Sequence, residues 1–414
     1  MAVTVVKSTS RLRSRAVGIG GSVVLASLLV ACGSNHDGAA APAALPATTT
    51  PPAAVSSVSG LLSSVPPQSS SVPAQSSVSS APASSSSPVP PVASVAVSSA
   101  SGGPGQLWAV PQSPDELAIA PDGTLFIADR IENAIYKRTP AGVFSIIAGT
   151  GVAGFSGDGG PATAAELNDP SGMLVETDGT LLFADGMNNR IRAIAPDGQI
   201  STVAGNGQFM NVMRSGAALA DPVGDPKDVA VDPHGGYYIA AASQLLHLTS
   251  SGQLTVVAGN NPLEGFVGIG GPALSGSVDG PGSIAIDRTG GIYVAGQNTK
   301  TLLYITPGGT LTKISDDFYV RDWGGLRTAP DGSVIGINTI EIVRYRGTVA
   351  TTIFPLASTT DPRLQNVELN GLAVSTSGDI YVSSDGNSGY NATPMLIRVN
   401  ASGKATILWS GTPT

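Results

Sequence analysis

Cysteine, histidine, charge and aromatic rings are all scarce in this 414-residue chain. One cysteine cannot pair within the chain, which excludes a disulfide scaffold and any CxxC-type zinc or redox site. Three histidines (His36, His234 and His247) are too few for a His-rich metal centre. Charged residues make up 12% of the chain, about half of the usual ~25%. The net charge is −8, and basic side chains cluster at the extreme N-terminus, which argues against nucleic acid as a partner. Aromatics are 5%, and no helix-length amphipathic segment is present. Glycine is abundant, at 52 residues, and points to many short strands joined by tight turns.

Three zones differ in composition. Lys7, Arg11, Arg13 and Arg15 precede an uncharged stretch from Ala16 to Ala31, shorter than the roughly 20 residues a membrane span needs. It ends in Leu29-Val30-Ala31-Cys32-Gly33-Ser34. This resembles the bacterial lipobox, which implies a signal peptide over residues 1–31 and a lipidated Cys32. Residues 32–105 are rich in Ser, Pro and Ala, with Asp37 the only charge. Such a segment cannot bury enough surface to offset chain entropy, so a disordered tether is expected there. The folding part is 106–414, which keeps 17 basic against 28 acidic side chains. The position after Cys32 lacks the Asp that favours inner-membrane retention, so in a Gram-negative host the outer membrane is expected.

The folding part repeats. Six segments share an apolar strand, a glycine turn and a second apolar strand: LAIAPDGTLFIAD (117–129), MLVETDGTLLFAD (173–185), VAVDPHGGYYIAA (229–241), IAIDRTGGIYVAG (284–296), LRTAPDGSVIGIN (326–338) and LAVSTSGDIYVSS (372–384). Their turn glycines are Gly123, Gly179, Gly235, Gly290, Gly332 and Gly378. A second hairpin follows each, at Gly142, Gly198, Gly252, Gly309, Gly347 and Gly403. Six pairs of hairpins imply four antiparallel strands per repeat, and sheets of that size bury their faces when arranged radially. The prediction is an all-β fold, a six-bladed β-propeller of four-stranded antiparallel blades. GQLWAV (105–110) reads as an additional outer strand at the seam between the last and first blades.

The repeats resemble the NHL family. Repeat two carries Pro170-Ser171-Gly172, Asp178-Gly179, Phe183-Ala184-Asp185, Asn188-Asn189-Arg190-Ile191-Arg192 and Thr202-Val203-Ala204-Gly205-Asn206-Gly207. Repeat one matches through Ala128-Asp129, Asn133 and Ile147-Ala148-Gly149-Thr150-Gly151. GFSGDGGPATAAEL (154–167) is similar to the linker of bacterial NHL proteins and of the NHL region of teneurins. Repeats three to six keep the turns but lose the Asp…Asn-x-Arg signature. The resemblance implies a propeller that serves as a scaffold for binding.

Candidate sites follow from placement. Gly149 to Gly154 satisfies GxGxxG, but no helix opens after it, so it reads as a repeat turn rather than a dinucleotide site. Asp129, Asp185, Asn188 and Arg190 read as scaffold groups that satisfy turn amides, with Arg190 or Arg192 pairing to a neighbouring blade. Long loops run from Gly149 to Pro170, Gly205 to Pro226 and Gly259 to Pro281. They predict a raised crescent over one face, a binding surface carrying Phe155, Asp158, Phe209, Met210, Arg214 and Phe266. At the start of the innermost strands, Asp115, Glu116, Asp228 and Asn370 would hold Ca²⁺ or another divalent cation through oxygen. That set resembles the gluconolactonase/regucalcin propellers, in which a metal polarises a lactone carbonyl, although that family's extended motifs are not recognisable here. His234 on a hairpin turn and His247 in an outer strand do not supply the channel histidine of lyase propellers.

The expectation is therefore an exported, lipid-anchored binding or scaffold module of the bacterial cell envelope. It would be a monomer without a cofactor, engaging a protein or envelope polysaccharide and touching the membrane only through its lipid. The alternative is a metal-dependent hydrolase or lyase working in the central channel.

Overall fold

A computed structural model describes residues 107–259, 267–278, 280–297, 300–318, 325–338, 341–356, 359–365, 367–386 and 393–411. Cys32, Phe266 and the tether lie outside the described residues. Six antiparallel sheets follow one another along the chain. Blade 1 is β1 (Pro114–Ile119), β2 (Leu125–Asp129), β3 (Ala134–Arg138) and β4 (Phe144–Ala148). Blade 2 is β5 (Pro170–Val175), β6 (Leu181–Asp185), β7 (Arg190–Ile194) and β8 (Ile200–Ala204). Blade 3 has a short β9 (Gly216–Ala217), then β10 (Pro226–Val231), β11 (Tyr237–Ala241), β12 (Gln244–Leu248) and β13 (Gln253–Ala258). Blade 4 is β14 (Pro281–Ile286), β15 (Ile292–Gly296), β16 (Thr301–Ile305) and β17 (Leu311–Ser315). Blade 5 is β18 (Leu326–Thr328), β19 (Val334–Asn338), β20 (Glu341–Arg346) and β21 (Val349–Pro355). Blade 6 is β22 (Leu372–Val374), β23 (Ile380–Ser384), β24 (Met395–Val399) and β25 (Ala405–Ser410).

Both hairpins of blade 1 turn on glycines in the left-handed region, Gly123 at φ 86° and Gly142 at φ 90°, where a Cβ would be strained. The other ten hairpin glycines share that conformation. The innermost strands β1, β5, β10, β14, β18 and β22 pack on each other in cyclic order and close on β1. Each seam between neighbouring blades holds its own apolar cluster, such as Leu181, Phe183 and Ile200 between blades 1 and 2. Each fully buried side chain of this kind contributes about 1.5–3 kcal/mol.

Every blade is made from consecutive strands, so side-chain packing closes the ring. At the seam between blades 6 and 1, Val110, Leu117, Tyr136, Leu396 and Trp409 form the cluster. The Ser383 hydroxyl donates to the Asp115 carbonyl (2.8 Å) across this seam. Leu107 to Val110 form no strand, which corrects the expectation for this part of GQLWAV. Leu107 and Val110 are instead drawn into the seam cluster.

Candidate functional site: the channel plug and the face above it

The repeat signature ties blade to blade. Asp129 accepts the Gln112 and Ser113 amides (both 2.8 Å) and the Glu132 amide (3.0 Å). Asp185 accepts the Asn168 amide (2.8 Å) and pairs with Arg192 (3.3 Å). Burial outweighs these donors and pushes both carboxyls up to about 6. Asn133 and Asn189 accept the amides of Asp169 and Asp225, which introduce the next blade (3.0 and 2.9 Å). The fully buried Arg192 donates to Ser156, Asp158 and Glu166 of the loop that leads into its own blade.

At the channel axis, three alternate blades meet. Arg327 of blade 5 reaches Glu116 of blade 1 (2.5 Å) and Asp228 of blade 3 (3.1 Å). Asp228 also accepts the Ser283 hydroxyl (2.9 Å) and the amides of Val229 and Ile284 (2.9 and 3.0 Å). Burial raises the carboxyls of Glu116 and Asp228, with Arg327 opposing it in both. Burial alone would lower Arg327, but the two carboxylates hold its pKa above the ordinary value. Intervening blades make room with glycine: a Cβ at Gly172 would lie 2.3 Å from Asp228 Cα, and one at Gly371 would lie 2.0 Å from the Asp115 carbonyl oxygen.

The predicted cation ligands are thus divided. Glu116 and Asp228 share a guanidinium, so a divalent ion between them would have to displace a positive charge already seated there. Asp115 lies beside Arg130, Asp129 and Asp385, and burial raises its carboxyl well above the usual range. The side chains of Asn370 and Ser171 are buried and find no hydrogen-bond partner among the described residues. Among the described residues, no group of three His, Cys, Asp or Glu side chains is arranged to hold a metal ion. Toward the hairpins that join first and second strands, a cavity of about 340 Å³ opens, with Leu174, Ala230, Ala285 and Arg327 in its wall. His234 and His247 both face Asp232 (3.1 and 2.9 Å), and His247 sits in the third strand of its blade.

Among the described residues, the three long loops do not rise as a crescent. Each descends along the outer strand of the following blade. Pro161 bridges Gln199 beside β8, β9 pairs with β13, and Pro272 bridges Thr310 beside β17. An exposed outer edge presents unpaired amides and carbonyls, and these loops satisfy them. Their apolar residues Ala162, Leu167, Met213, Val223, Ala273 and Val278 are buried in the seams. Asp158 faces Arg192 (2.8 Å) and Thr202 (2.6 Å) rather than a partner.

Around the Asn188–Arg190 connection an apolar patch remains in solvent. Phe155 lies over the Arg190 guanidinium (3.6 Å), and Arg190 also donates to the Asn206 carbonyl (3.2 Å). Asn188 donates to the Gly154 carbonyl (2.7 Å), so both loops converge on this connection. Met187 is 63% exposed and Phe209 58%, with Val152, Phe155 and Met210 also in solvent. Ile131 stands at the equivalent position of blade 1 and is 68% exposed. Arg214 is exposed beside the buried Met213.

A family model, the teneurin NHL domain, matches residues 143–315, from the second hairpin of blade 1 through blade 4. This match and the six blades support an NHL-repeat propeller. Teneurin-3 of Danio rerio is 28% identical over 169 residues, 38% of this chain and 6% of its own length. Teneurin-3 of Mus musculus is 23% identical over 307 residues, covering 60% and 11%. Teneurin-m of Drosophila melanogaster is 26% identical over 272 residues, covering 59% and 10%. The chain therefore spans a small fraction of the relatives that its NHL-repeat propeller matches. Among solved structures, virginiamycin B lyase from Staphylococcus aureus aligns at 13% identity and a TM-score of 0.45, over 72% of this chain and 84% of that one. A gluconolactonase from Xanthomonas campestris aligns at 14% and 0.34, over 74% and 77%. Neither likeness assigns chemistry to the NHL-repeat propeller. The fold supports a binding or scaffold module.

Arg327 was not among the predicted site residues. Its signal was present: the aligned inner-strand positions are Ala118, Leu174, Ala230, Ala285 and Ala373, and only blade 5 places a charge there.

Proposed function

We propose that this chain is an exported lipoprotein, anchored through Cys32, whose propeller binds a protein of the cell envelope. In a Gram-negative host the anchor is the outer membrane. The observation that carries the binding role is the apolar patch of Val152, Phe155, Met187, Phe209 and Met210, gathered from two loops around one connection. Exposed apolar side chains grouped this way mark interaction sites. Methionine and phenylalanine adapt to apolar protein surfaces, which favours a protein over an envelope polysaccharide. The channel supports a structural role, since Arg327 is already paired with both Glu116 and Asp228. A divalent cation at Asp115, Glu116, Asp228 and Asn370, and with it the hydrolase or lyase alternative, has less support.

Two measurements test this reading. Cys32→Ser should move the protein from the membrane fraction to the soluble fraction, and retention on the membrane would refute the anchor. A photo-reactive phenylalanine analogue at Phe209 should give a discrete protein crosslink in intact envelopes, lost when Met187→Asp and Met210→Asp are added. A polysaccharide adduct, or equal crosslinking from Thr163 on the outer rim, would remove the patch as a protein site.

A further inference from the structure

Blade 1 differs from the other blades at one third-strand position. Lys137 lies opposite Phe126 in the pairing of β2 with β3, and the equivalent residues are Ala193, His247, Tyr304, Arg344 and Arg398. Each polar member of that set meets an acid on the first hairpin of its own blade. His247 faces Asp232 (2.9 Å), Tyr304 donates to Asp287 (3.0 Å), Arg344 to Asp331 (2.9 Å) and Arg398 to Asp379 (2.6 Å). In blade 1, Ala120 stands where blades 3 and 4 have Asp232 and Asp287. Asp122 is exposed on the turn and accepts the Thr124 amide (2.8 Å) and hydroxyl (3.0 Å). Among the described residues, the half-buried Lys137 ammonium has no hydrogen-bond or ion-pair partner.

Lys137 lines a cleft of about 590 Å³ between blades 1 and 2. The whole wall falls within residues 120–198, all of them described. Clefts of about 300–1,000 Å³ are the usual size for small ligands. Phe126, Ile147 and Val175 form an apolar side of this one, packed on the cluster that fills the seam. Pro161, from the loop that runs beside β8, adds a further side. Asp197, also in the wall, is exposed and holds the Gln199 amide (3.1 Å) and side chain (3.3 Å). The matching cleft between blades 5 and 6 is about 280 Å³, and there Asp331 neutralises Arg344. The larger cleft thus joins an apolar wall to a cation that no acid neutralises.

We propose that this cleft binds a small apolar carboxylate, its head on the Lys137 ammonium and its hydrocarbon against Phe126, Ile147 and Val175. Away from bulk water an ammonium attracts an anion more strongly. Apolar surface removed from water adds to that attraction. A neutral alcohol of the same chain length would gain only the second contribution. The hairpins of Gly179 and Gly198 border the cleft, at the end of blade 2 opposite the Met187 connection. The proposal therefore stands independently of the apolar patch and its protein partner.

The test is isothermal titration of the full chain carrying Cys32→Ser, with decanoate below its micellar concentration as the probe. Decanoate should saturate a single site, and decanol should bind about tenfold more weakly, the usual worth of one hydrogen bond to a charged group. Lys137→Met keeps the apolar stem. It should weaken decanoate by that same factor and leave decanol unchanged, and Lys137→Arg should restore decanoate. Ala195→Trp, which adds bulk to the wall, should abolish both, whereas Arg344→Met in the smaller cleft should change neither. Failure of decanoate to saturate, equal affinity for decanoate and decanol, or an unchanged decanoate affinity in Lys137→Met overturns the proposal.

Discussion

Arg327 crosses the channel to bind two carboxylates, so it is the single side chain on which most charge balance depends. Arg327→Met would leave Glu116 and Asp228 facing each other in a buried space, and removing one partner from such a group costs about 3–5 kcal/mol. Urea unfolding should show that loss, and adding Glu116→Gln should restore part of it by removing one of the two acids. No change with Arg327→Met would mean that the guanidinium is not needed there. Placement of this residue was legible in principle, because small or apolar residues fill the other five equivalent positions. Its partners were not legible: the pairing joins blades 1, 3 and 5, and nothing local in the sequence records which distant inner strands meet at the axis. The Asp and Asn signature was easier to read, because those side chains bond to turn and entry amides close in sequence or at the next repeat.

At the scale of elements, hairpins and loops differ in what they reveal. Each hairpin needs a backbone conformation that glycine favours, so the number and spacing of glycines carried the strand count. The long loops bind mainly through backbone groups, which leave no side-chain period, and their length alone suggested a raised surface. Their actual role appears in Leu167, Met213 and Val278, buried between blades. Replacing residues 152–166 with a short Gly-Ser connection should therefore do more than remove a surface loop. It would expose the outer side of β8 and strip Arg192 of Ser156, Asp158 and Glu166. An uncovered edge strand pairs readily with another chain. Light scattering should report association of this variant, and a stable monomer with unchanged unfolding would show that the loop is dispensable to the blade.

For the whole molecule, the buried acids set an uncommon pH dependence. Asp129 and Asp185 are raised to about 6, and Asp115, Glu116 and Asp228 are raised as well, in each case by burial above all. A carboxyl whose folded pKa exceeds its unfolded value binds its proton more tightly in the folded state. Its contribution is therefore fully present below about pH 4, the unfolded value, and is lost as pH rises through about 6. Exposed acids act in the opposite sense: Asp331, held down to about 2 by Ser333 and then by Arg344 and Arg346, loses its contribution as pH falls. Stability should thus peak near about pH 4–5 and decline toward neutrality, against the common preference for about pH 5–8. Urea midpoints measured at about pH 4.5, 6 and 8 should fall in that order, and a midpoint that rises across the series would contradict the burial argument. Asp129→Asn should flatten the decline as well as weaken the fold. It removes one titrating group while sacrificing amide bonds that hold the second-to-third strand connection to the incoming β1.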